Sequence, residues 1–336
     1  MVVIMNADAT QEDIEGVIHA IEEKGLAAKV MEGARQKIVG VIGDKTRLAD
    51  APIDAMHGVE TTVAISKSYK LASREFHPAP TVIEVAGVQI GGGTPVVMAG
   101  PCAVESRSQL METAEIIKAG GAQFLRGGAY KPRTSPYAFQ GLGAQGLEFL
   151  KSAKIETGLP IVTELMDVRQ LQYFADVDII QIGARNMQNF DLLKEMGKAG
   201  KPILLKRGMA ATVKELLMSA EYIMASGNEN VILCERGVRT FDSYTRNCLD
   251  VSAVPYLHKV SHLPVIIDPS HACGMSWMVP TLAKAAVAGG ADGLIIEVHN
   301  DPSRALCDGE QSLRPDEFAS LMKTLVRVAE IEGRSV

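Results

Sequence analysis

The feature that most narrows the fold is a series of short apolar segments recurring from Val96 onward, each followed by a helical pattern. They are Val96–Met98, Gln123–Leu125, Pro160–Val162, Asp178–Ile182, Pro202–Leu205, Val231–Leu233, Pro264–Ile267 and Gly293–Ile296. Each is too short for a helix and lacks the polar alternation of a half-exposed strand, so each reads as a strand buried on both faces. Between them, segments such as Thr212–Ala225 and Met278–Ala288 carry apolar residues at helical spacing. Eight such units across Val96–Val336 match the about 250 residues of an α/β (β/α)8 TIM barrel. A doubly wound open sheet is the competitor, but no glycine fingerprint of the dinucleotide type follows the first strand, and Gly91–Gly93 precedes it.

Upstream the pattern is different. Met1–Met5 reads as a strand, and Thr10 with Asp13 resembles a capping box ahead of a helix through Ile14, Val17, Ile18 and Ile21, ended at Gly25. Ala27–Met31 and Lys37–Ile42 read as strands, Thr46–Met56 as a weaker helix carrying Pro52, and Thr61–Ile65 as a last strand. That order is ferredoxin-like. The expected organisation is therefore a small α+β ferredoxin-like domain at 1–69, a linker with two prolines at 70–80, and a barrel at 81–336 that opens with a β-hairpin in Thr81–Gly93. The first domain holds no cluster of titratable residues, which suits a binding or assembly module.

Charge limits the partners. A net charge of −6 argues against a nucleic-acid or anionic-membrane surface. Yet Leu125–Ser135 (LRGGAYKPRTS) places Arg126, Lys131 and Arg133 on one loop at a strand end, which suits a small anionic ligand. No apolar stretch reaches the ~18 residues of a membrane span, and MVVIMNADAT lacks the pattern of a secretory signal. Five scattered cysteines make no disulfide framework, so a cytoplasmic location with reduced thiols is expected.

In a (β/α)8 barrel the carboxyl end of every strand faces the active site. Polar or metal-capable residues just past the eight runs are Cys102, Arg126, Glu164, Arg185, Lys206, Arg236, His271 and Glu297. Arg126, Lys131, Arg185, Lys206 and Arg236 are too many cations for pairing with Glu164 alone, so one or two phosphoryl or carboxylate groups are implied. Cys102, His271, Glu297 and Asp308 offer one sulfur, one nitrogen and two carboxylates, a mixed donor set for a divalent transition metal. Cys234, Cys248, Cys273 and Cys307 are assigned to packing or left without a role, with Cys307 a competitor because it adjoins Asp308.

Seven ordered motifs at these strand ends resemble 3-deoxy-D-arabino-heptulosonate-7-phosphate (DAHP) synthase of the shorter bacterial and archaeal branch. They are GPCAVES (Gly100–Ser106), LRGGAYKPRTS, IGARNMQN (Ile182–Asn189), LLKRG (Leu204–Gly208), CERG (Cys234–Gly237), DPSH (Asp268–His271), and EVH (Glu297–His299) with CDGEQSL (Cys307–Leu313). The N-terminal module resembles, by element order, the regulatory extension of some members. The resemblance implies a transferase that condenses phosphoenolpyruvate with D-erythrose 4-phosphate and releases phosphate, the first step of the shikimate pathway to aromatic amino acids. It implies metal ligands at Cys102, His271, Glu297 and Asp308 (for manganese, iron, cobalt, zinc or a similar ion). It implies a phosphoenolpyruvate cradle of Arg126, Lys131, Arg185, Lys206 and Arg236 with Glu164 beside it, and erythrose 4-phosphate contacts at Arg133, Thr134 and Ser135. Lys131, Glu164 and His271 are the expected catalytic residues, and the proton carrier stays open between Lys131, Glu164 and a metal-bound water. An aromatic amino-acid effector at the first domain and a homotetrameric assembly are further expectations. The alternatives are 3-deoxy-D-manno-octulosonate-8-phosphate synthase, which takes arabinose 5-phosphate and has a longer polar loop where this chain has Lys131–Ser135, and a catalytically silent amino-acid sensor.

Overall fold

The computed structural model describes residues 1–32, 36–43, 45–48, 51–63 and 68–334. The chain forms two compact units, one of Met1–Pro80 with Lys259–His262 and the other of Thr81–His258 with Leu263–Val336.

The first unit is a four-stranded antiparallel sheet, β1 (Val2–Met5), β2 (Ala27–Glu32), β3 (Lys37–Ile42) and β4 (Val59–Val63), in the order β2-β3-β1-β4. Helix α1 (Gln11–Glu22) starts at a capping box in which the Thr10 hydroxyl accepts from the Asp13 amide and the Asp13 carboxylate accepts from the Thr10 amide. Ile14, Val17 and Ile21 on one face of the helix then pack on Val3, Met5, Val39 and Val41 of the sheet. The antiparallel order is the ferredoxin-like one. The second expected helix is different: Thr46–Met56 gives way to two 3-10 turns, Lys45–Leu48 and Ile53–Ala55. Pro52 is the physical reason, since inside a helix its missing N–H and its ring both break the ladder. The last strand lies two residues earlier than expected, and Ala64 and Ile65 fall outside the described residues. The stretch expected as a linker packs, with Leu71, Ala72 and Phe76 buried.

The second unit opens with the hairpin of β5 (Ile83–Val85) and β6 (Val88–Ile90), turned at Ala86 and Gly87 with φ of 50° and 82°. Both central residues lie at positive φ, which suits Asn-Gly better than Ala-Gly. Ala86→Asn is therefore expected to stabilise the chain by about 0.5–1 kcal/mol, read as a rise in the urea midpoint at unchanged slope.

Eight parallel strands follow: β7 (Val96–Gly100), β8 (Phe124–Arg126), β9 (Ile161–Glu164), β10 (Ile179–Ile182), β11 (Ile203–Lys206), β12 (Val231–Glu235), β13 (Val265–Ile267) and β14 (Gly293–Glu297). They pair in chain order and close, β14 on β7, into a barrel. Every residue of β7, β12 and β14 is buried, which is why they read as unbroken apolar runs. The outer helices are α2 (Arg107–Ala119), α3 (Ala144–Thr157), α4 (Phe190–Lys198), α5 (Val213–Ala225), α6 (Ala253–Val260), α8 (Val279–Ala288) and α9 (Pro315–Ile331), while α7 (Pro269–Cys273) is a short helix in the loop after β13 at the carboxyl end. The hairpin closes the amino end of the barrel, where Ile83, Val85 and Ile90 join Val96, Met98, Phe124, Val162, Leu204 and Ile266 in one apolar cluster. With that end filled, only the carboxyl end is left for chemistry. Among the described residues no helix is long and apolar enough to cross a membrane.

Candidate active site

The carboxyl ends of the strands converge on a cavity of about 290 Å³. Arg126, Glu164 and Lys206 are the last residues of β8, β9 and β11, and Arg236 directly follows β12. Lys131, Arg133, Thr134 and Ser135 enter from the loop after β8, Arg185 from the turn after β10, His271 from α7 and Asp308 from the loop after β14. All of these line the cavity, while Cys102 and Glu297 lie just behind its wall.

Two glycines make the arrangement possible. At Gly100 (φ 145°) a Cβ would sit 2.0 Å from the Arg126 carbonyl oxygen, so only glycine lets β7 pass this close to β8. At Gly183 a Cβ would sit 2.0 Å from Glu164 Oε1 and push that carboxylate out of place. Gln181 holds the other oxygen of Glu164, donating from Nε2 at 3.1 Å.

At the deep end, ligand atoms of Cys102, His271, Glu297 and Asp308 all lie within 4.8 Å of one another. The geometry around them favours a metal. Asp268, the cap of α7, accepts from the His271 amide at 2.9 Å and contacts Nδ1 through Oδ2 at 2.7 Å. That contact leaves His271 Nε2, 3.3 Å from Glu297 Oε1, as the ring atom facing the cluster. Burial lowers the His271 pKa and so favours the neutral imidazole, the form that ligates a metal. Gln311 donates to Glu297 Oε2 at 2.6 Å, which fixes the carboxylate. Burial works against the Glu297 charge, but His271, Arg126 and Lys131 outweigh it and hold its pKa below the ordinary value. Cys307 stays outside the four: its Sγ is 3.2 Å from Cys102 Sγ and is taken up by Arg133. The hydrogen bond from Cys307, then burial, push the Cys102 thiol well up. A bound dication reverses this, since it takes the thiolate. The donor set of one thiol, one imidazole and two carboxylates, braced by Asp268 and Gln311, fits such an ion.

Lys131 connects the two parts of the site. Its ammonium is 2.9 Å from the Cys102 carbonyl oxygen and 3.0 Å from Cys102 Sγ. Burial disfavours that charge, yet Cys102, Cys307 and Glu297 more than compensate and raise its pKa, so it is an ammonium at neutral pH.

The remaining wall is cationic. Arg126, Lys131, Arg133, Arg185, Lys206, Arg236 and Arg246 face Glu164 and Asp308, with Glu297 and Asp268 behind. Lys206 is spoken for by Asp268 Oδ2 at 2.5 Å, and Arg126 meets Glu297 at 3.2 Å. Arg126 Nε and Arg236 Nη1 are buried donors without a hydrogen-bond partner among the described residues. Such donors cost stability unless a ligand satisfies them, and a surplus of buried positive charge selects an anion.

Asp268, Gln181, Arg246 and Gln311 are site residues that the strand-end rule passed over. For Asp268 the signal was there, because it directly follows β13. His271, three residues on, displaced it as the representative of that strand.

Known proteins place this arrangement in a family. The sequence profile of the DAHP synthetase I family matches residues 65–332, and that of the DAHP synthase ferredoxin-like domain matches residues 1–67. The chain belongs to the DAHP synthetase I family. The phospho-2-dehydro-3-deoxyheptonate aldolase of Thermotoga maritima is 48% identical over the whole length of both chains. The crystal structure of that DAHP synthase superposes with a TM-score of 0.80 at 48% identity, covering 100% of this chain and 98% of its own. A truncated form of the Thermotoga maritima synthase covers 80% of this chain and 99% of its own, with a TM-score of 0.75 and 49% identity. The 2-dehydro-3-deoxyphosphooctonate aldolase of Geobacter sp. (strain M21) is 35% identical over 72% of this chain and 95% of its own. The octulosonate relatives thus share only part of the chain, whereas the heptonate relative shares all of it. For this DAHP synthase family member the enzyme class anticipated from the motifs stands.

Proposed function

We propose that the enzyme condenses phosphoenolpyruvate with erythrose 4-phosphate to give DAHP and inorganic phosphate. The observation that carries this reading is the buried cationic wall with unsatisfied donors on Arg126 and Arg236, set directly beside a four-donor metal cluster. Phosphoenolpyruvate carries both a phosphate and a carboxylate, and Arg126, Lys131, Arg185, Lys206 and Arg236 match those charges. Arg133, Thr134 and Ser135, on the loop stiffened by Pro132, hold the phosphate of the acceptor and leave its aldehyde facing inward.

Cys102, His271, Glu297 and Asp308 would hold a divalent ion (manganese, iron, cobalt or zinc), which when bound acts as a Lewis acid on the aldehyde carbonyl. The enol carbon of phosphoenolpyruvate forms a bond to the aldehyde carbon. Lys131, an ammonium beside the ligand cluster, gives its proton to the oxygen on which charge develops. Water adds at the phosphate-bearing carbon, with Glu164 taking its proton. The new hydroxyl then gives its proton to the leaving phosphate as its oxygen forms the ketone and the carbon–oxygen bond to phosphate breaks, and Arg185 and Arg236 hold the departing hydrogen phosphate dianion. Release of inorganic phosphate from phosphoenolpyruvate that depends on erythrose 4-phosphate tests the scheme; release without any acceptor would contradict it.

The ferredoxin-like unit takes an aromatic amino acid as effector in this reading, and the chain assembles as a homotetramer. Deleting residues 1–70 is expected to abolish inhibition by tyrosine and phenylalanine while the barrel keeps turnover. Unchanged inhibition would show that the effector binds elsewhere.

A further inference from the structure

Arg246 is a cationic side chain of the cavity that neither the strand-end pattern nor the motifs assign. It lies in the loop between β12 and α6, and its backbone is pinned by a hydrogen bond from its amide to the Cys273 carbonyl at 3.0 Å. The guanidinium donates to Gln311 Oε1 at 3.0 Å and lies 3.7 Å from Asp308 Oδ2. Arg133, from the loop after β8, lies 3.7 Å from Asp308 Oδ1. Two guanidiniums from two separate loops therefore flank the two oxygens of one carboxylate at the cavity mouth.

The charges do not balance once the site is loaded. Asp308 is one of the four clustered donors, and a carboxylate committed to a dication no longer offsets two arginines. Gln311 leaves no alternative acid for Arg246, because its amide oxygen is neutral and its nitrogen is turned to Glu297. Arg133 and Arg246 thus form an open cationic pair above the cluster. Phosphoenolpyruvate is already matched by Arg126, Lys131, Arg185, Lys206 and Arg236, of which all but Arg185 are buried.

We infer that Arg246 is a specificity-determining residue that holds the terminal phosphate of the acceptor from the side opposite Arg133. The inference rests on the proposed reaction. It makes the distance from the ligand cluster to the Arg133–Arg246 pair a ruler for acceptor length, since the aldehyde must reach the cluster while the phosphate reaches the pair. Gln311 is the positioning residue that keeps the Arg246 fork turned to the mouth.

The test is steady-state kinetics of Arg246→Ala and Arg246→Lys with manganese, phosphoenolpyruvate and erythrose 4-phosphate, together with manganese binding by each protein. Losing a charge-assisted hydrogen bond predicts a KM for erythrose 4-phosphate about 10- to 100-fold higher in Arg246→Ala, with Arg246→Lys between it and wild type. KM for phosphoenolpyruvate and the affinity for manganese stay at wild-type values. An unchanged KM for erythrose 4-phosphate, or equal rises for both substrates, or weakened manganese binding, overturns the inference. Wild-type protein that does not turn over erythrose 4-phosphate overturns the reaction itself, which is a separate outcome.

Discussion

Cys102→Ser is expected to empty the metal site and stop turnover. Serine keeps the shape but not the soft thiolate, and a neutral hydroxyl does not replace a charged donor for a transition metal. Even removing an outer partner of a ligand typically weakens metal affinity 10- to 100-fold, so loss of a ligand is expected to cost on the order of 100-fold or more. Metal content after dialysis and activity titrated with manganese read the effect. Chelation of the wild-type enzyme should stop turnover, and added manganese should restore it. The alternative ligand next door sharpens the test. Cys307 Sγ is 3.2 Å from Cys102 Sγ, so a Cys102→Ser enzyme that keeps its metal would mean that Cys307 can stand in. Cys307→Ser then separates the cases: it should leave metal affinity nearly unchanged if the four clustered donors are the ligands.

The second large effect is expected at Lys131. Lys131→Met keeps length and apolar bulk but removes the ammonium that meets Cys102 Sγ and the Cys102 carbonyl oxygen. Loss of a general acid predicts a fall in kcat of about 10²–10⁴-fold. The same change also removes one of the cations facing phosphoenolpyruvate, so KM for that substrate should rise as well. A KM rise with kcat unchanged would assign Lys131 to binding alone and leave Glu164 as the proton carrier.

The barrel was legible because its strands are buried on both faces. Runs such as Val231–Leu233 and Gly293–Ile296 carry no polar alternation, and each real strand extends a residue or two further toward the site. The added residues are Cys234 and Glu235 in β12 and Glu297 in β14, and the two glutamates are polar groups that end an apolar run in the sequence yet complete the strand in the fold. Arg126, Glu164 and Lys206 were legible for the related reason that the fold sends every strand end to one place. Apart from Asp268, the residues that brace the site were not. Gln181 sits inside β10, where a polar residue looks like an interruption, and it reveals itself only by its contact with Glu164. Arg246 and Gln311 come from long irregular loops with no period to mark which way they face. In the first unit Pro52 was visible, but helical spacing on either side of it outweighed it, and the chain makes two short turns instead.

The Lys131–Ser135 loop is proposed to select a four-carbon sugar phosphate as acceptor. Comparing kcat/KM for erythrose 4-phosphate with that for arabinose 5-phosphate, at saturating phosphoenolpyruvate and manganese, tests it most directly. Efficient DAHP formation from erythrose 4-phosphate with little or no product from arabinose 5-phosphate is the predicted result. Equal or better use of arabinose 5-phosphate would contradict it.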